Sequence, residues 1–113
     1  MHPTWRMLER LQIMKNNEID MKVIAERHLH ARLRATGTEV AIRAVVGTPY
    51  WVEDGLEAAC PVALEGLQGR LADIKGIDPI DALLNAIGII DKLLIGALEY
   101  YDVYWSDGEA FEP

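Results

Sequence analysis

From Met21 the chain alternates between apolar and polar positions with a period of two. Val23, Ala25, Leu29, Ala31 and Leu33 fall on one side; Lys22, Glu26, His28, His30, Arg32 and Arg34 fall on the other. Successive side chains of a strand point to opposite faces, so this alternation predicts an antiparallel strand with one wet face. Thr36-Gly37 reads as a tight turn. Val40, Ile42, Ala44 and Val46 then carry the apolar face onto a second strand, opposite Glu39, Ala41, Arg43 and Val45. Gly47-Thr48-Pro49 closes that strand, which places Tyr50 and Trp51 in a loop, and Glu53-Asp54-Gly55 is a further turn signal. A third strand follows, with Leu56, Ala58, Cys60, Val62 and Leu64 inward. Pro61 has no N–H to give to a ladder, so a bulge or an outward-facing nitrogen is expected there. Gly66 and Gly69 bracket a turn, and Arg70 to Lys75 reads as a fourth strand.

After residue 77 the period lengthens. Asp78-Pro79-Ile80-Asp81 is a helix start: Asp78 can accept from free backbone amides, proline suits the first helical position, and Asp81 complements the dipole. Ile80, Leu83, Leu84, Ile87, Ile90, Leu94 and Leu98 recur at helical spacing, and Ile89, Leu93 and Ile95 widen the arc. That arc is broader than one sheet contact needs, so this helix is expected to pack between the sheet and something else, such as the N-terminal segment or a second subunit. Tyr100 to Trp105 reads as a short final strand, Ser106-Asp107-Gly108 as a turn, and Phe111 as a residue that tucks the tail down. Upstream, Met7, Leu8, Leu11 and Met14 share a stripe that predicts a short helix over residues 4–15, with residues 1–20 as an N-terminal extension. The fold class is therefore α+β: an antiparallel sheet of three to five strands packed against one long helix, in a single domain over residues 21–113.

Composition narrows the functional classes. Half of the 113 residues are hydrophobic, enough for a core without disulfides or metals. One cysteine, Cys60, cannot form an internal disulfide, which points to a reducing, cytoplasmic setting. Residues 1–20 carry Arg6, Glu9, Arg10 and Lys15 where a secretory leader needs an apolar run. The stretch from Ile80 to Leu98 is interrupted by Asp81, Asp91 and Lys92, which argues against a membrane span. The net charge of −7 disfavours binding to nucleic-acid backbones. It is unevenly placed: residues 1–36 hold seven basic and four acidic side chains, and residues 77–113 hold one basic and eight acidic. A basic first strand and an acidic C-terminal half can pair within the fold or between subunits.

Candidate chemistry is sparse. His28 and His30, two apart on a strand, leave the same polar face with Glu26 one step before them, a spacing that can serve a metal ion. Cys60 lies on an apolar face and reads as buried. Asp78 and Asp81 have the spacing of a helix cap rather than of a catalytic pair. Glu99, Asp102, Asp107, Glu109 and Glu112 lack the ordered spacing of a calcium loop. No phosphate-binding loop, nucleophile elbow or Cys-x-x-Cys pair occurs, so no catalytic residue and no cofactor is assigned. Tyr50, Trp51, Tyr100, Tyr101, Tyr104 and Trp105 form two aromatic clusters of the kind that supplies binding energy when exposed.

The second half resembles a family of small bacterial domains of unknown function. Cys60-Pro61, Glu65-Gly66-Leu67, Gly76-Ile77-Asp78, Asp81-Ala82-Leu83-Leu84 with Ala86 and Ile90, and the tail from Trp105 to Phe111 carry the resemblance, with further support from Ile24-Ala25-Glu26-Arg27. It covers chiefly residues 58–113. It implies antiparallel strands crossed by one long helix, and it brings no activity, ligand or catalytic residue. The functional expectation is a non-enzymatic protein-interaction domain, an adaptor, inhibitor or immunity-like protein, homodimeric or bound to a protein partner. The alternative is a small-ligand or metal-binding module on the His28/His30 face.

Overall fold

A computed structural model describes residues 21–113. The predicted N-terminal helix over 4–15 and the extension 1–20 lie outside the described residues. The chain runs β1 (Val23–Leu33), β2 (Glu39–Gly47), β3 (Tyr50–Glu53), β4 (Glu57–Cys60), β5 (Val62–Glu65), β6 (Gly69–Arg70), β7 (Ile74–Gly76), α1 (Pro79–Ala97) and β8 (Tyr101–Trp105). The strands form two antiparallel sheets, one of five in the order β6-β5-β2-β1-β8 and one of three in the order β3-β4-β7. With α1 packed on the strands, the fold is α+β.

The two sheets arise from one interrupted hairpin. The segment expected as a single third strand from Leu56 to Leu64 is two strands, because Pro61 cannot continue a ladder. The half before Pro61 pairs with β3 and β7; the half after it pairs with β2 and β6. Opposite the break, Gly47 donates its N–H to the Pro61 carbonyl at 2.9 Å, so the two arms stay tied where they bend. Past the break the chain forms β3, so Tyr50 and Trp51 are strand residues and not loop residues. Leu56 falls in the β3–β4 turn and is 68% exposed rather than inward. The expected strand from Arg70 to Lys75 is likewise divided, with Leu71, Ala72 and Asp73 outside β6 and β7.

The core lies between α1 and the strands. Leu29, Ala31, Ile42, Ala44 and Val46 meet Ala58, Cys60, Val62 and Leu64, capped by Val103 and Phe111. The expected phase of β1 and β2 holds, although Val45, predicted outward, is fully buried. From α1 the core takes Ala82, Ala86, Ile90 and Leu94. This differs from the expected stripe, in which Ile80, Leu84 and Ile87 faced inward. The reason is steric. A side chain added at Gly76 would have its Cβ 2.3 Å from the Ala82 backbone nitrogen. The helix therefore sits almost on the backbone of β7, where only alanine fits beneath its first turns.

The helix ends follow local chemistry. Asp78 Oδ1 accepts from the Asp81 amide at 2.7 Å, and Asp81 Oδ2 accepts from the Ile77 amide at 2.9 Å, a reciprocal cap. The last turn of α1 has no basic residue. Arg34, beyond the end of β1, supplies the charge instead. Its guanidinium donates to the Leu98 and Tyr101 carbonyls at 3.0 Å each, to the Glu99 carbonyl, and to Asp102 Oδ1 at 3.3 Å.

Candidate interaction surface

Two ion pairs inside the fold join the basic first-strand region to the acidic C-terminal half. β1 and β8 are neighbours, with Arg32 opposite Asp102 in register. Arg34 pairs with Asp102, and Arg27 reaches Asp91 of α1 at 3.6 Å while its guanidinium lies 5.2 Å from the centre of the Trp105 ring.

His28, His30 and Glu26 share the polar face of the five-stranded sheet, where Glu26 pairs with His28 and His30 has other neighbours. Glu26 Oε1 lies 2.6 Å from His28 Nε2 and accepts from Arg43 Nε at 2.9 Å. The Arg43 hydrogen bond, followed by that of His28, holds the Glu26 carboxyl below its usual range. Arg43 also donates to Glu65 at 3.3 Å. His30 stacks on Tyr104, ring centres 5.1 Å apart at 26°, with its Nε2 4.0 Å from Glu39 Oε1. Among the described residues no three His, Cys, Asp or Glu side chains are grouped to hold a metal ion.

Cys60 is fully buried, and burial pushes its thiol up, away from the thiolate form that nucleophilic work requires. Asp78 and Asp81 are occupied by the helix cap. In the acidic tail, Asp107 accepts from the Glu109 amide in a local turn.

The two aromatic clusters divide. Trp105 packs on Phe111 at 5.2 Å, and Tyr101 and Tyr104 are half-buried, so these three close the core edge and the sheet face. Tyr100, at 62%, stands exposed. Tyr50 and Trp51 are also exposed, on opposite sides of β3. The Tyr50 hydroxyl donates to Asp73 at 2.5 Å, which raises its ionisation above the ordinary tyrosine value. Trp51 lies opposite Ala58, and Ala58 opposite Gly76, so Trp51 is on the helix side of the three-stranded sheet.

The wide apolar arc of the helix, expected to pack on two sides, leaves a row of aliphatic residues in water. The outward flank of α1 presents Ile80 at 71%, Leu84 at 61%, Ile87 at 42% and Ile95 at 47% exposure, with Ile77 just before the helix also exposed. These positions fall on one stripe by helical spacing, and Asp91 lies in their midst. Beside them runs a groove of about 170 Å³ between α1 and the first two strands, its lining including Glu26, Arg27, Val46, Ile87, Ile90 and Asp91. The five isoleucine and leucine side chains expose on the order of 600 Å² of apolar surface, the upper end of what a monomeric protein shows. The signal was present in the sequence as an apolar arc too wide for one contact.

Comparison with protein-family models, curated proteins and solved structures finds no match to this chain. No helix among the described residues is long and apolar enough to cross a membrane.

Proposed function

We propose that this chain is a non-enzymatic protein-interaction domain whose binding surface is the outward flank of α1 and the groove beside it. It acts as an adaptor, inhibitor or immunity-like protein and works in the cytoplasm without a cofactor. The observation that carries the reading is that α1 buries Ala82, Ala86, Ile90 and Leu94 yet leaves four further large aliphatic residues, Ile80, Leu84, Ile87 and Ile95, in water. Aliphatic side chains exposed in a row are costly to hydrate, and a partner that covers them recovers that free energy. The buried state of Cys60 and the capping roles of Asp78 and Asp81 support a surface-binding role over a catalytic one. The test is affinity capture from cells that express the chain, with wild type compared to Leu84→Glu. A protein held by the wild type and lost with the variant is expected; equal capture by both would contradict the reading.

A second reading, a small-ligand or metal module on the polar sheet face, is favoured by one contact. Glu26 and His28 already hold two ligand-type atoms 2.6 Å apart. A thermal shift on adding zinc that His28→Ala abolishes is the expected result; the absence of any shift counts against it.

A further inference from the structure

We infer that the partner seated on the α1 flank is a second copy of this chain, paired about a twofold axis that passes near Ile87. This inference rests on the interaction surface proposed above and names its occupant.

Three features of the flank argue for self-pairing. The first is area. A standard interface buries about 800 Å² on each partner, about 65% of it apolar in homodimers. The flank, which exposes on the order of 600 Å² of apolar surface, supplies that share from one element.

The second is charge. The chain carries −7 overall, so two copies repel over most of their surface. The flank is an exception. Both acidic groups of its groove have an arginine on their own copy: Asp91 stands with Arg27, and Glu26 with Arg43. A twofold interface brings a patch against itself, so it must be self-complementary. Here each acidic group of the groove is already matched by an arginine, so pairing buries no unmatched charge.

The third is shape. Ile80, Leu84, Ile87 and Ile95 run along the helix with Ile87 near their middle. A twofold axis at Ile87 lays the two helices antiparallel and sets the partner's Leu84 beside Ile87, Ile90 and Asp91. Those residues line the groove, whose volume of about 170 Å³ admits one aliphatic side chain. Anchors seated in such desolvated pockets carry most of the energy of an interface. Trp51 stands on the same side of the sheet as the helix, at the free edge of β3, and flanks the seam.

Size-exclusion chromatography with light scattering on the full chain tests the inference. At tens of micromolar the wild type should show twice the 12.7 kDa chain mass. Leu84→Glu, placing a carboxylate in the partner's groove, should weaken association about 100-fold with an unchanged circular dichroism spectrum. Ile80→Ser provides an independent variant should the first not fold. Lys92→Glu, on the opposite flank, should leave the dimer intact. A wild type that stays monomeric overturns the inference, as does a dimer that both Leu84→Glu and Ile80→Ser leave unaltered. A monomer that still captures another protein through Leu84 removes self-pairing alone and leaves the interaction surface standing. A monomer with no such capture removes both.

Discussion

The two faces of α1 contrast over its first turns, with alanines inward and bulky aliphatics outward. The inward face is Ala82, Ala86, Ile90 and Leu94, with alanine where the helix lies on Gly76 and larger residues where the sheets open away. The outward face is Ile80, Leu84, Ile87 and Ile95, all bulky and all wet. A helix that served only its own domain would carry its large residues inward and polar ones outward. The inversion shows that close approach to the sheet, and not hydrophobicity alone, decides which residues are buried. It also leaves the outward aliphatic residues available to something outside the fold.

Substitutions that separate the two faces give the largest effects. Leu94→Ala, at a fully buried site, should lower the unfolding free energy by about 3 kcal/mol. Leu84→Ala should change the stability of the monomer by less than about 0.5 kcal/mol. Urea denaturation at protein concentrations low enough to keep the chain monomeric checks both. Equal losses would erase the distinction between the faces.

A smaller effect is expected at the C-terminal end of the helix. Arg34→Met keeps the aliphatic stem but leaves the Leu98, Glu99 and Tyr101 carbonyls without their charged donor. A loss of about 2 kcal/mol is expected from hydrogen bonds to a charged group, read from the same denaturation curves. At the N-terminal end, Asp78→Ala removes the cap and should cost about 1 kcal/mol.

The smallest effect is one of pH and lies on the polar face. Glu26 has its carboxyl held down in the folded state, chiefly by Arg43. Its contribution to stability is present above the unfolded carboxylate value and fades as the pH falls through the lower, folded value. Thermal unfolding of the wild type should therefore lose stability on acidification, and Glu26→Gln should lose less of it. An identical acid limb in the two proteins would show that the Arg43 pairing contributes nothing.

Much of the fold was legible in the sequence because it is written in local chemistry. The period of two across β1 and β2, the Asp78-Pro79 helix start and the apolar tail residue Phe111 each depend on a few neighbouring residues. What escaped depends on residues far apart. Pro61 announced a break, but the exchange of sheets there also needs the matching interruption at Gly47 and Pro49 on the facing strand. The phase of α1 escaped because apolar residues occupy both of its faces. Only the distance from Gly76 to the Ala82 backbone reveals which face has room. The His28/His30 row was legible as a shared face, whereas the stacking of His30 on Tyr104 depends on β8 lying beside β1.

The central claim is that the outward flank of α1 is a seam between two copies. Cysteine cross-linking tests it most directly, since the native Cys60 is fully buried. A disulfide requires two α-carbons within about 7 Å, so it forms across a twofold axis only near that axis. Under mild oxidation Ile87→Cys should form a covalent dimer rapidly, and Lys92→Cys on the opposite flank should remain a monomer. Failure of Ile87→Cys to cross-link, or equal cross-linking at both positions, would contradict the account.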